Sequence, residues 1–260
     1  MGIKNLFYSI MVSALVQAGL LLTALGADFS VVSSINADTN PAVAYNSVDD
    51  EYLVIYEYEY SASNHDIKAK ILDSNGLEIT SFTITQEVNT EINPCVAYNS
   101  ALNQYMVAWE HGTSVSNHDI KAKIINADGN TVIDTWTPAG WPDTETDPDI
   151  AYNATDNAYM VVWVGGASDN KDIYGRIFDH SGVTITLLHI SSGTYHETAP
   201  GVTYNYSLNN YLVLWHGRPP VTPPFGFPTY YTVYGSVVSS TGTPGAQVAI
   251  GTYGSDNLNP

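Results

Sequence analysis

The chain has 260 residues and carries 26 Asp and Glu against 8 Lys and Arg, a formal net charge of −18. So few cations argue against nucleic acid as a partner, because phosphate binding takes clustered Lys and Arg; neutral glycans, cations and basic protein surfaces suit the charge better. Cys95 is the single cysteine, which excludes an intrachain disulfide.

Residues 1–27 differ from the rest. Lys4 precedes an apolar run from Leu6 to Leu25, which closes on the small residues Ala24-Leu25-Gly26-Ala27. This is the pattern of a secretory signal peptide, with an uncleaved N-terminal membrane anchor as the alternative because the run is long. Either reading makes the remainder, 28–260, secreted or displayed at the cell surface. It also limits membrane contact to the N-terminal segment, if that segment is uncleaved.

From residue 41 onward one unit is written four times. Copies start near Pro41, Pro94, Pro148 and Pro200, at spacings of 53, 54 and 52 residues. Such a period indicates a repeat architecture. Each copy predicts four strands. The first is a short run of mostly small residues after the proline, such as Ala42-Val43-Ala44-Tyr45. A polar turn follows, NSVDDE in the first copy and NSALNQ in the second. The second strand is apolar on both faces (Tyr52 to Tyr56, Tyr105 to Trp109, Tyr159 to Trp163, Tyr211 to Trp215), as expected of a strand covered on both sides. The third alternates, Ile67, Ala69 and Ile71 against Lys68 and Lys70. A turn with Gly76, Gly129, Gly182 or Gly242 leads into a looser, β-branched fourth strand.

Four antiparallel strands per unit of about 50 residues describe a propeller blade. A row of sandwich domains would need about 100 residues each. The first strands should line the axis and the Tyr-x-x-x-Trp strands should lie between blades. The pattern P-x-V-A-Y-N…Y-L-V-x-W…D-I-Y-G-R also resembles the propeller-forming repeats of secreted bacterial and archaeal surface proteins, over nearly all of residues 36–260. That resemblance implies an architecture and brings no catalytic residues. Phe29 to Ile35 reads as one extra fourth-type strand. The expectation is therefore an all-β β-propeller of four four-stranded blades plus one extra N-terminal strand, a fragment of a larger ring.

Residues that recur in every copy serve the blade, so candidate ligand contacts are those that break the repeat. The link TWTPAGWPDTETDPD supplies Trp136, Trp141, Asp143, Glu145 and Asp147, and the insertion PPVTPPFGFP supplies Phe225 and Phe227. Aromatic rings stack on sugar faces and carboxylates accept hydroxyl hydrogen bonds. Asp143, Glu145 and Asp147 are also weak calcium candidates, lacking the Gly and distal Glu of an EF-hand loop. The histidines His65, His111, His118, His196 and His216 and the acids Asp38, Glu91, Glu145 and Glu197 map to the same end of the blades. No G-x-S-x-G, H-E-x-x-H, phosphate loop or Cys-based metal spacing occurs, so no residue is assigned as catalytic and no cofactor beyond calcium is expected.

The leading expectation is a secreted or surface binding module for glycan or protein, acting in adhesion without catalysis. The alternative is a carbohydrate-active enzyme, a glycan hydrolase or lyase using carboxylates on the open face. A second alternative is a structural spacer of a surface protein.

Overall fold

The computed structural model describes residues 30–32, 34, 36–114, 117–167, 170–191, 196–218 and 232–252. The expected signal peptide and the Phe225 and Phe227 insertion lie outside them. The described residues form sixteen strands and no helix.

The first sheet holds β1 (Asp38–Asn46), β2 (Glu51–Ser61), β3 (Asn64–Asp73) and β4 (Glu78–Thr85). The second holds β5 (Glu91–Asn99), β6 (Gln104–Ser114), β7 (Asn117–Asn126) and β8 (Thr131–Ala139). The third holds β9 (Thr146–Asn153), β10 (Ala158–Gly165), β11 (Asp172–Asp179) and β12 (Thr184–His189). The fourth holds β13 (His196–Asn205), β14 (Asn210–Arg218), β15 (Thr232–Ser239) and β16 (Val248–Thr252). Each sheet is antiparallel with its strands in chain order, which is the blade expected from the repeat.

Local chemistry explains the hairpins. Gly76, Gly129, Gly182 and Gly242 all have φ between 80° and 89°, the left-handed conformation their tight turns demand. At the other turn, Asn46, Asn99 and Asn153 fold the chain back by accepting backbone N–H bonds two and three residues on.

Blades stack through their apolar faces. Trp109, Trp163 and Trp215 are buried where the second strand of one blade meets the blade before it. β5 packs between β1 and β9, and β9 packs on β13. Among the described residues β13 has no extensive packing on β1, so the succession is open. The middle blades show the two-sided burial expected of their second strands. From Tyr105 to Gly112 in β6, and throughout β10, every residue is buried. β2 and β14 are covered on one side only.

The extra N-terminal strand is corrected. Residues 30–32 and 34 are not in a strand, and the first strand begins at Asp38. A fourth-type strand needs the outer edge of a third strand. Within this chain each such edge is already taken, the last by β16 on β15.

Candidate functional site

The hairpins between second and third strands and the links between blades gather at one end of the sheets. There each innermost strand carries a bulge at its proline. The pairing of first to second strand skips between Thr39 and Ala42, between Ile92 and Cys95, and between Thr198 and Gly201, with a matching irregularity in the third blade. Proline has no N–H to give the ladder. The residue before it is left-handed in every blade, with φ of 46° at Asn40, 50° at Asn93, 53° at Asp147 and 51° at Ala199. Asn and Asp tolerate that conformation best among residues with a side chain.

Two buried glutamates hold these bulges. Glu57 accepts from Asn40 Nδ2 at 2.6 Å and from the backbone N of Asn93 at 2.5 Å, in the next blade. Glu110 repeats the arrangement one blade on. It accepts from Asn93 Nδ2 at 2.5 Å and from the backbone N of Asp147 at 2.8 Å. Each glutamate also faces a histidine of its own blade, His65 at 3.6 Å from Glu57 and His118 at 3.0 Å from Glu110. Glu110's hydrogen bond raises the pKa of His118, against the opposing effect of burial. The third blade has Val164 and Lys171 at these two positions, so the Glu–His pair belongs to the first two blades alone.

The link acids Glu91, Glu145 and Glu197 are fully buried. Each of the later two ties its link to the preceding blade: Glu145 N donates to His118 O at 2.8 Å, and Glu197 N to Lys171 O at 3.0 Å. Burial pushes both carboxyls up to about 7, with the Trp141 N–H opposing it at Glu145 and the Ser191 hydroxyl at Glu197. Glu91 is raised as well, again by burial, despite its contact with His111 at 2.9 Å.

The backbone of the bulge recurs, but its side chains do not. Asp147 is an acid where the other blades have Asn40, Asn93 and Ala199. Asp149 is an acid where they have Ala42, Cys95 and Gly201. Burial raises the pKa of Asp147, and the charge of Glu110 raises it further. Asp149 accepts from the backbone N of Val202 at 2.7 Å. A cavity of about 460 Å³ opens between the first two blades, lined by Ser63, Asn89, Thr90, Gly112, Ser114 and His118. His118 thus faces the cavity while reaching Glu110. Asp147, protonated more readily than an ordinary carboxyl, can give its proton to a hydroxyl or ether oxygen that reaches it.

The residues expected from sequence fall in different places. Glu145 and Asp147 are at this end, Glu145 buried and Asp147 half-buried, and Asp143 is exposed nearby. Trp141 is half-buried and packs edge-on against Tyr174 and Trp163, with ring centroids 4.6 and 5.9 Å away. Its backbone N donates to Glu145 at 3.1 Å. Trp136 sits away from the acids, on β8, against Phe178 and the Gly182 turn of the next blade. Among the described residues the carboxylate and histidine atoms that converge within 4.8 Å are those of Glu87, Glu91 and His111.

Of the residues in this network, His118 maps to this end from sequence, whereas Glu57 and Glu110 do not stand out there. The available signal was a Glu and a His eight residues apart, written in two copies and missing from the others.

No protein-family model matches the chain, and no curated protein sequence matches it. Solved structures do match its fold. An endo-arabinase from Bacteroides thetaiotaomicron superposes with a TM-score of 0.56 at 13% identity, over 88% of this chain and 86% of that one. An exo-β-1,3-galactanase from Clostridium thermocellum gives 0.54 at 11%, over 85% and 50%. An α-L-arabinofuranosidase from the same organism gives 0.50 at 14%, over 82% and 73%. At these identities the likeness establishes the fold alone, a succession of four-stranded antiparallel sheets of the propeller type. It corrects the expectation of a non-catalytic adhesion module, because the neighbours are glycan-acting enzymes and so back the alternative reading.

Proposed function

We propose that the chain is a carbohydrate-active enzyme that cleaves glycosidic bonds with carboxyl groups at the bulged end of its blades. The observation that carries this is the contact between Glu110 and Asp147. The Glu110 carboxylate accepts the backbone N–H of Asp147 at 2.8 Å, which links an acid of the second blade to one of the third, and the second is the only acid among the four equivalent bulge positions. Glycoside cleavage uses such a pair, one group giving a proton to the departing oxygen and the other acting on the anomeric carbon directly or through water. Asp147 suits the first role, since burial and the charge of Glu110 both favour its protonated form. Glu110 suits the second, fixed by Asn93, His118 and the Asp147 backbone. The wall of the cavity offers Ser63, Asn89, Thr90 and His118 to sugar hydroxyls. A neutral polysaccharide fits a chain this acidic.

The test is release of reducing ends from arabinan, arabinoxylan and β-1,3-galactan. Asp147→Asn and Glu110→Gln should each lower the rate by about a hundredfold or more, as loss of an acid–base group does. Asp143→Asn should leave it unchanged. Asp147→Asn keeps the backbone N–H that Glu110 accepts, so loss of activity there is separable from loss of fold. Full activity in Asp147→Asn, or no cleavage of any of the three polymers by the wild type, would overturn the proposal.

A further inference from the structure

The three boundaries between blades are built alike, and among the described residues the two outer faces of the arc carry the unmatched halves of the same design. At each boundary a buried asparagine donates across it. Asn46 Nδ2 reaches Asn103 Oδ1 at 2.9 Å, Asn99 reaches Asn157 at 2.9 Å, and Asn153 reaches Asn209 at 3.0 Å. The acceptors all have left-handed φ, and each also receives a tyrosine hydroxyl of its own blade. The next donor in the series is Asn205, which is exposed and makes only the turn half of the pattern, to the backbone N of Ser207 and Leu208. The first acceptor in the series is Asp50, left-handed like the others and bonded to the Tyr45 hydroxyl at 2.8 Å. One face of the arc therefore presents a donor and the other an acceptor.

The apolar positions are divided in the same way. Tyr105, Tyr159 and Tyr211 are buried under the preceding blade, whereas their counterpart Tyr52 is 36% exposed and its neighbour Val43 62%. On the fourth blade Val237 is 50% exposed, while its counterparts Ile124 and Ile177 are buried under the following blade. Leu212 and Leu214 are half-buried where Met160 and Val162 are fully covered. Contiguous apolar faces of this kind mark interaction surfaces. The chain itself shows three times what covers each of them, a blade of the same sequence pattern.

We propose that these faces join head to tail between two copies of the chain, the fourth blade of one stacking on the first blade of the other. Asn205 of one copy would then donate to Asp50 of the second, and Tyr52 and Val43 would close over Leu212, Leu214 and Val237. The contact is heterologous: two copies making it twice close a ring, and otherwise the association runs on. This inference does not rest on the enzymatic reading.

Sedimentation velocity on the full chain, in mild detergent to keep the apolar run at residues 6–25 dispersed, tests it. The wild type should sediment at twice the chain mass or more. Tyr52→Arg and Val237→Arg, both at exposed positions, should each give monomers with an unchanged thermal melt. Mixed one to one, the two variants should recover dimers, because each still has the face that the other has lost. A monomeric wild type would overturn the proposal. So would association that survives both substitutions, or a mixture that stays monomeric.

Discussion

The side-chain amide of Asn99 donates to Oδ1 of Asn157 across the boundary between the second and third blades, at 2.9 Å, while its own Oδ1 folds the turn through Ala101 N and Leu102 N. One residue thus shapes a hairpin and fastens a blade. Asn99→Ala should cost about 2–3 kcal/mol, since the deletion leaves buried donors and an acceptor without partners. Asn205→Ala, which loses only the exposed turn bonds, should cost about 1 kcal/mol. Urea melts of the two variants measure the difference, and equal losses would mean that the cross-blade bond contributes nothing.

Removing Glu110 strands three donors from two blades. Glu110→Ala is expected to cost about 3 kcal/mol or more, as when one member of a buried polar network is deleted. Glu110→Gln keeps the shape and removes the charge. It should lower the titration midpoint of His118, followed by NMR of the imidazole, because Glu110 is what raises it. An unmoved His118 midpoint would refute the coupling.

The pH dependence should run opposite to ordinary acid denaturation. Glu145 and Glu197 have folded-state pKa values of about 7 against 4.5 for the free side chain. The folded state keeps protons there that the unfolded chain has released. Their contribution is therefore fully present below 4.5 and is lost as pH rises through about 7. His118, also raised, extends the loss upward. Thermal melts should show Tm falling between about pH 5 and about pH 8, and a double Glu145→Gln, Glu197→Gln variant should flatten that fall. A wild-type Tm that climbs over this range would contradict the assignment.

Trp109→Ala and Trp163→Ala should each cost about 3–5 kcal/mol, the usual range for a large aromatic cut from a core. Both rings are essentially inaccessible. Denaturant unfolding of each variant tests this, with a loss below about 1 kcal/mol as the contrary result.

Much of the blade was legible in the sequence because its rules are local. The glycine turns, the alternation of Ile67, Ala69 and Ile71 with lysines, and the doubly apolar Tyr105 to Trp109 strand each follow from neighbours a few residues away. The candidate site was legible only in part. Asp147 stood out because it breaks a repeat. Glu110 did not, since it reads as the polar end of an apolar strand. Its importance comes from Asn93 and Asp147, which lie 17 and 37 residues away and reach it only when bulge and blade have both formed. Trp136 shows the converse. Its position in an irregular link marks it in sequence, while the packing of the next blade's Gly182 turn against its ring is legible only in the fold.

The one-sided cover of β2 and β14 has a consequence in time. Blades held only by their neighbours open from the outside inward. Deuterium should therefore enter the amides of the first and fourth blades well before those of β6 and β10. A protease that cuts opened strands would sample the outer blades first, leaving the second and third, with Glu110 and Asp147 between them, as the last intact fragment.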